Sequence, residues 1–364
     1  MMDFTLAESQ QVVVDLAAQV LSGADPWKEL AQAGLLDVSE LGLLDTAVLL
    51  TEIGRHATPD SLKALSTLMT GALPVARWGD ADLQRELLPP IASGELILTA
   101  ALREPSNPAP PIPATTVTDG KITGTKIGVP HADHSHRILV PAHLTSAPPP
   151  TSSMIVASSG QIASKTGHDH GVVGDTGVVL VAPGAPGVRL TPTPSSSGQP
   201  EFTLRMDQAP VESVLGPAEC VQDLYQLAVA GACAMADGAV AGALALTRDY
   251  VASREQFGRP LATFQAVSQQ IADTYIASRT LHLATLSACW RLSEGRDQGA
   301  DLDVAGYWCA EQAPRAVRTC HHLHGGLGMD VTYPLHRFSS LVADLVRFLG
   351  GAEYRLERLA CSPN

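Results

Sequence analysis

Aromatic side chains are scarce. Phe, Tyr and Trp make up 4% of the 364 residues, so the core has to be built from Ala, Leu and Val. Charge is also sparse, at 17% against 45% apolar residues, which excludes a disordered chain. Basic residues are outnumbered, 24 against 37 acidic, for a formal net charge of −13. Non-specific nucleic-acid binding needs a basic face to neutralise phosphates, and that balance argues against it. A small anion held by a few local Arg residues stays compatible. The six cysteines (Cys220, Cys233, Cys289, Cys309, Cys320 and Cys361) form no C-x-x-C pair, so no zinc or thioredoxin-like motif is present. The first residues show neither a basic n-region nor an apolar h-region. The expectation is a cytoplasmic chain with free thiols. The one long apolar run, Leu227 to Leu246, carries Asp237 in its middle and is thinned by Gly231, Gly238 and Gly242. It fits a buried helix better than a bilayer span, with Gly238 and Gly242 admitting a second helix at close range.

At roughly 100–200 residues per domain the length allows two or three domains, and three zones differ in composition. Residues 1–95 have helical periodicity, seen in Val13, Leu16, Ala17, Val20 and Leu21 and again in Leu43, Leu44, Val48, Leu49 and Ile53. Leu62, Leu65, Leu68 and Met69 form a third apolar face, and Thr5-Leu6-Ala7-Glu8 fits a capping box. Residues 96–212 are rich in Pro, Gly, Ser and Thr. Short β-branched runs lie between the turns, at Ile122-Thr123, Ile138–Val140, Met154–Val156, Val178–Val181 and Phe202–Leu204. They predict a small barrel or sandwich, with the Pro-rich patches at 108–113 and 148–150 as loops. Residues 217–364 return to helical periodicity, over Val221–Arg254, Leu261–Glu294, Val304–Leu323, Pro334–Phe348 and Ala352–Leu359. The fold class is therefore α+β, in the order helices, sheet, helical bundle.

Two stretches of the last zone carry the chemistry. In Arg254-Glu255-Gln256-Phe257-Gly258-Arg259-Pro260-Leu261-Ala262-Thr263-Phe264-Gln265, Gly258 and Pro260 break two helices into a hairpin. Arg254 stands just before the turn, where a guanidinium forks well onto phosphate oxygens. Alone, this is a tight turn with a solvated Arg. In His321-His322-Leu323-His324-Gly325-Gly326-Leu327-Gly328 the glycines let the backbone approach a ligand. No strand precedes them, so this is not a dinucleotide fingerprint. No Cys or carboxylate completes a metal shell around the three histidines, and no metal is expected. His131, His134, His136, His168 and His170 are expected to be exposed loop residues.

Together the two stretches resemble the acyl-CoA dehydrogenase family, and the α–β–α order matches its plan over nearly the whole chain. The resemblance implies FAD held across a subunit interface. Arg254, Gln256, Phe257, Leu261, Phe264 and Gln265, with His322, Gly325 and Gly326, would hold the pyrophosphate and adenine half of a flavin bound by the neighbouring subunit. His322 stands where the family commonly has Gln.

The same resemblance implies that other parts of a flavin site are missing. The family's Tyr-Glu-Gly-Thr stretch carries the catalytic base, and Phe348-Leu349-Gly350-Gly351 stands in its place. Leu349 cannot accept a proton. Some members carry the Glu on the first long C-terminal helix, where this chain has Leu227–Gly231. Asp237 lies about two turns further on, at ~1.5 Å per residue, and is a poor substitute. The family's Thr-Glu-Pro is Arg103-Glu104-Pro105 here, and its Lys-x-Trp-Ile-Thr is Lys126-Ile127-Gly128-Val129-Pro130. Glycine offers no ring face and proline no hydroxyl.

A chain that keeps what serves a neighbour's flavin and lacks what serves its own is expected to be half of a hetero-oligomer. Asp249–Gln265, Cys320–Arg337 and Arg347–Gly351 narrow the likeness to the smaller subunit of actinobacterial α2β2 steroid side-chain acyl-CoA dehydrogenases. The substrate so implied is an acyl-CoA such as 3-oxo-4-pregnene-20-carboxyl-CoA, from cholesterol catabolism. The partners would be a homologous subunit carrying the catalytic Glu and an electron-transfer flavoprotein. Two alternatives stand beside this one. The chain is a scaffold or regulatory pseudoenzyme that binds no flavin, or a complete homotetrameric enzyme using Glu353 or Glu311 as its base.

Overall fold

A computed structural model describes residues 4–145, 176–296 and 300–361. The Met154–Val156 run, the 148–150 patch, His168 and His170 lie outside the described residues.

The N-terminal helices are α1 (Glu8–Val20), α2 (Pro26–Gln32), α3 (Val38–His56, kinked at Gly42), α4 (Ser61–Ala64), α5 (Leu73–Trp78) and α6 (Ala81–Ala92). Asp25, Asp37 and Asp80 cap α2, α3 and α6 by accepting from backbone amides. The expected box at Thr5 does not form. The helix starts at Glu8, and Gln10 reaches back to accept from the amide of Ala7 at 2.9 Å. Alanine has no oxygen to give the other half of the exchange. Between α4 and α5, Leu65–Ala72 forms a π-helix, fully buried and tight against Leu98.

The middle strands are β1 (Leu98–Ala100), β2 (Thr116–Thr118), β3 (Lys121–Pro130), β4 (Arg137–Leu144), β5 (Thr176–Val181), β6 (Val188–Thr193), β7 (Glu201–Pro210) and β8 (Ser213–Gly216). They build one eight-stranded mixed sheet in the order β6-β7-β3-β2-β4-β5-β8, with β1 parallel to β4. Alternation along β4 and β5 sends side chains to opposite faces. Leu139, Val178 and Leu180 join the helical core, and Ile138, Val140, Val179 and Val181 join a second core on the far face.

The C-terminal part is α7 (Ala218–Ser253), the ribbon β9 (Glu255–Gln256) and β10 (Arg259–Pro260), then α8 (Gln265–Ser293), α9 (Asp301–His324), α10 (Leu335–Phe348) and α11 (Gly351–Cys361). By length and composition α7 would cross a membrane, but 89% of its most apolar window is buried inside the protein. It is the axle of the fold. A Cβ on Gly238 would collide with the carbonyl oxygen of Thr51, and one on Gly242 with that of Arg55, so α3 and α7 touch backbone to backbone. All six cysteines are free, five of them buried.

Candidate functional site

Helix α7 stops at Arg254, whose backbone turns extended. The chain then makes the β9–β10 ribbon, with Arg259 paired to Gln256. Its turn is Phe257-Gly258, at φ 53° and 76°. Two successive left-handed residues fit the twist of a two-residue hairpin. Phe257 is 92% exposed and meets Phe264 edge-on at 6.2 Å, while the Arg259 guanidinium lies 4.1 Å over the Phe264 ring. The expected helix hairpin is present, with this ribbon as its tip.

The end of α9 faces that tip. Gly325 adopts φ 59° at the helix terminus, and the space beside Gly325 and Gly326 is open. His324 is buried and stacks on Tyr250 at 4.4 Å. Its Nδ1 donates to the Cys320 carbonyl at 2.8 Å, so Nε2 accepts from the Tyr333 hydroxyl at 3.0 Å. Burial lowers the pKa of this imidazole. His321 bonds Ser339 Oγ, which leaves His322 exposed on the cavity side.

Arg254, Gln256, Leu261, His322, Gly325 and Gly326 line one cavity of about 490 Å³. Phe257, Phe264 and Gln265 do not line it. Arg254 has no ion-pair partner among the described residues. The arrangement is an anion receptor in outline: an unpaired guanidinium, an imidazole and a Gly-Gly backbone around one open space. Among the described residues no group of three His, Cys, Asp or Glu could hold a metal.

A second region is closed. The Arg103 carbonyl accepts from the Ile127 amide at 2.9 Å, which brings Arg103-Glu104-Pro105 against Lys126–Pro130. Gly128 adopts φ 65°, and a Cβ there would stand 2.9 Å from the Arg103 guanidinium. Beside it Arg347 forks onto Glu201 at 2.5 and 2.7 Å and reaches Asp344 at 2.9 Å. Asp344 also accepts from the amides of Ser196 and Ser197 and from Ser197 Oγ. Burial alone would raise the Asp344 carboxyl, but these bonds hold it below the usual aspartate range. The cavity left between Gly128, Pro130, Glu201, Asp344 and Phe348 is about 20 Å³. Deeper in, fully buried Lys126 meets Glu104 at 2.9 Å, and burial brings its ammonium down to about 8.

A profile described as "Acyl-CoA dehydrogenase, C-terminal domain" matches residues 226–359. The chain is 43% identical over 369 residues to acyl-CoA dehydrogenase FadE28 of Mycobacterium tuberculosis, covering 98% of each. It belongs to the acyl-CoA dehydrogenase family. Two solved structures share the fold of this acyl-CoA dehydrogenase along its length. A variant of the Tcur3481-Tcur3483 steroid ACAD superposes with a TM-score of 0.83 at 32% identity, over 98% of both chains. The ChsE4-ChsE5 complex from Mycobacterium tuberculosis superposes with a TM-score of 0.84 at 28% identity, over 100% of both.

One expectation about the histidines changes. His134 and His136 are exposed, but His131 is buried at φ 51°. Its amide donates to Pro200, which draws it under the helices, and burial beside Lys63 lowers its imidazole to about 4. Asp237 is paired with His282 Nδ1 of α8 at 2.8 Å. Leu349 is fully buried and gives its carbonyl to Arg355 at 2.8 Å. Glu311 is ion-paired with Arg315, and Glu353 is exposed on α11. The Arg347–Glu201–Asp344 network went unread in the sequence, because its members lie 143 to 146 residues apart across β7 and α10, apart from the local Asp344–Arg347 step.

Proposed function

We propose that this chain is one subunit of a heteromeric FAD-dependent acyl-CoA dehydrogenase that introduces an α,β double bond into a CoA thioester. The substrate class we propose is a steroid side-chain acyl-CoA. The partner is a homologous subunit that carries the catalytic Glu, and electrons leave through an electron-transfer flavoprotein in the cytoplasm. The observation that carries this reading is the convergence of Arg254, Gln256, Leu261, His322, Gly325 and Gly326 on one open cavity with an unpaired cation.

These residues suit the dinucleotide half of FAD. The Arg254 guanidinium would fork onto the pyrophosphate. The Gly325–Gly326 backbone lets the ligand approach, and His322 donates one hydrogen bond in the place of an amide side chain. When bound, FAD supplies the acceptor for the β-hydride after the partner's Glu takes the α-proton. The residues around Gly128 do not suit an isoalloxazine of this chain's own, because Arg103 and the Arg347 network occupy that region. The buried aliphatic Leu349 supplies no base. The chain thus orients a shared cofactor and leaves proton abstraction to its partner.

The test is a flavin-to-protein ratio on the complex co-expressed with its neighbouring homologue. Half as many flavins as chains is the expected result. One flavin per chain would mean that this chain's own flavin pocket still works, and a colourless complex would favour a scaffold.

A further inference from the structure

Away from the flavin surface, a separate cavity of about 120 Å³ lies between α1, α3, α7 and α8. Leu44, Ala47, Val48 and Ala234 give it an apolar wall, Asp237, His282 and Thr285 a polar one, and Thr51 and the mutually paired Glu52 and Arg55 also line it. Asp237 is 3% exposed and bound to His282 Nδ1 at 2.8 Å. Thr285 is 4% exposed, and its Oγ1 is buried with no hydrogen-bond partner. That orphan is out of character for the chain. Thr247, Thr274, Thr280 and Thr319 sit on the same long helices, and each hydroxyl back-bonds to the carbonyl four residues earlier. A buried hydroxyl without a partner costs about 1–3 kcal/mol, so Thr285 is the group that a ligand in this cavity would satisfy.

The chemistry of the walls defines that occupant. The hydroxyl of Thr285 makes no bond to His282, so the Asp–His pair does not activate it as a nucleophile. Burial keeps Cys289, on the same wall, a protonated thiol. The site therefore binds and does not react. An engineered apolar cavity of about 150 Å³ takes up benzene, so this one holds a slightly smaller body. We propose that the cavity binds a compact apolar alcohol, a short chain or small ring with one hydroxyl placed between Thr285 and Asp237. A hydroxyl suits that position because it accepts from Thr285 and donates to the carboxylate. The proposal is independent of the flavin reading.

The probe is cyclopentanol, with cyclopentane as its counterpart lacking the hydroxyl, titrated by ligand-observed NMR against the full chain in the assembly in which it purifies. Saturable binding of cyclopentanol is expected, with cyclopentane weaker. Thr285→Val should weaken cyclopentanol about five-fold and leave cyclopentane unchanged. Leu44→Trp, at the half-buried mouth, should abolish both while the unfolding midpoint confirms a folded protein. Equal binding of the two probes, indifferent to Thr285→Val, would overturn the polar half of the proposal. Binding of neither probe, with only ordered water beside Thr285 in a crystal soaked with cyclopentanol, would overturn all of it.

Discussion

Two arginines define two regions with opposite electrostatics. Arg254 ends α7 with a guanidinium that has no ion-pair partner among the described residues, beside a cavity of about 490 Å³. Arg347 ends α10 with its guanidinium saturated by Glu201 and Asp344, beside a remnant of about 20 Å³. One region is open and would suit an anion. The other has supplied its own anions and closed. A cation left open in a protein with a formal charge of −13 is a specific feature, since abundant carboxylates could have covered it. The difference teaches that accessibility and pairing together, and not the presence of Arg, separate a binding surface from a structural tie.

The largest effect should come from opening the closed region. Arg347→Met leaves the Glu201 and Asp344 carboxylates buried without their shared cation. Breaking a buried pair by removing one partner costs ~3–5 kcal/mol, and the third of Arg347 that is exposed brings the expectation to about 3. Chemical denaturation of wild type and variant measures it. Unchanged stability, or new flavin uptake by the chain alone, would undo the contrast.

Acid should act on the closed region too. Asp344 has a folded pKa below its unfolded value, so its stabilisation is complete above about pH 4 and is lost as pH falls through the folded value. The stability of wild type should therefore drop below about pH 4. Asp344→Asn should be less stable at neutral pH and should flatten that acid limb. Parallel profiles for the two proteins would remove Asp344 from the account.

Arg254→Ala probes the open side. With no partner to lose, the chain alone should keep its stability within about 0.5 kcal/mol. A charge-assisted contact is worth ~1.5–3 kcal/mol, so the complex should bind FAD about ten- to a hundred-fold more weakly. Firm flavin retention by this variant, measured by fluorescence of released FAD, would refute the assignment of Arg254 to the pyrophosphate.

The open region was more legible in the sequence than the closed one, for a physical reason. Arg254 and the Gly258-x-Pro260 break lie on one continuous segment, and Gly325-Gly326 on another. Local punctuation announces both. Helix α7 was legible as a buried span because Asp237 and the glycines interrupt its apolar run. The closed region depends on β7 meeting α10, a long-range pairing that no local pattern encodes. Gly128 showed that a ring was missing, but not that Arg103 fills its place. The π-helix at 65–72 was hidden because eight apolar and small residues do not distinguish its period from 3.6. His131 was not legible because a Pro/Gly-rich setting signals exposure, whereas its amide bonds the Pro200 carbonyl and its ring lies beside Asp60 and Lys63, long-range neighbours that no local pattern encodes.

The smallest effect concerns Phe257, where the open region bears strain. A left-handed φ costs a side chain with Cβ roughly 1–2 kcal/mol, and an aromatic ring 92% exposed recovers little of this in the chain alone. Gly258, next to it, has no such cost. Phe257→Gly should therefore remove that strain, though glycine's own freedom in the unfolded chain takes back ~0.5–1 kcal/mol. The net gain for the chain alone should be small, about 0.5 kcal/mol. In the complex the sign should reverse if the exposed ring packs on a partner subunit, because the variant would lose that apolar contact. A variant that is stabilised alone and binds its partner less firmly would show that the strain serves the interface. Equal partner affinity for Phe257→Gly and wild type would show that the hairpin tip plays no part in it.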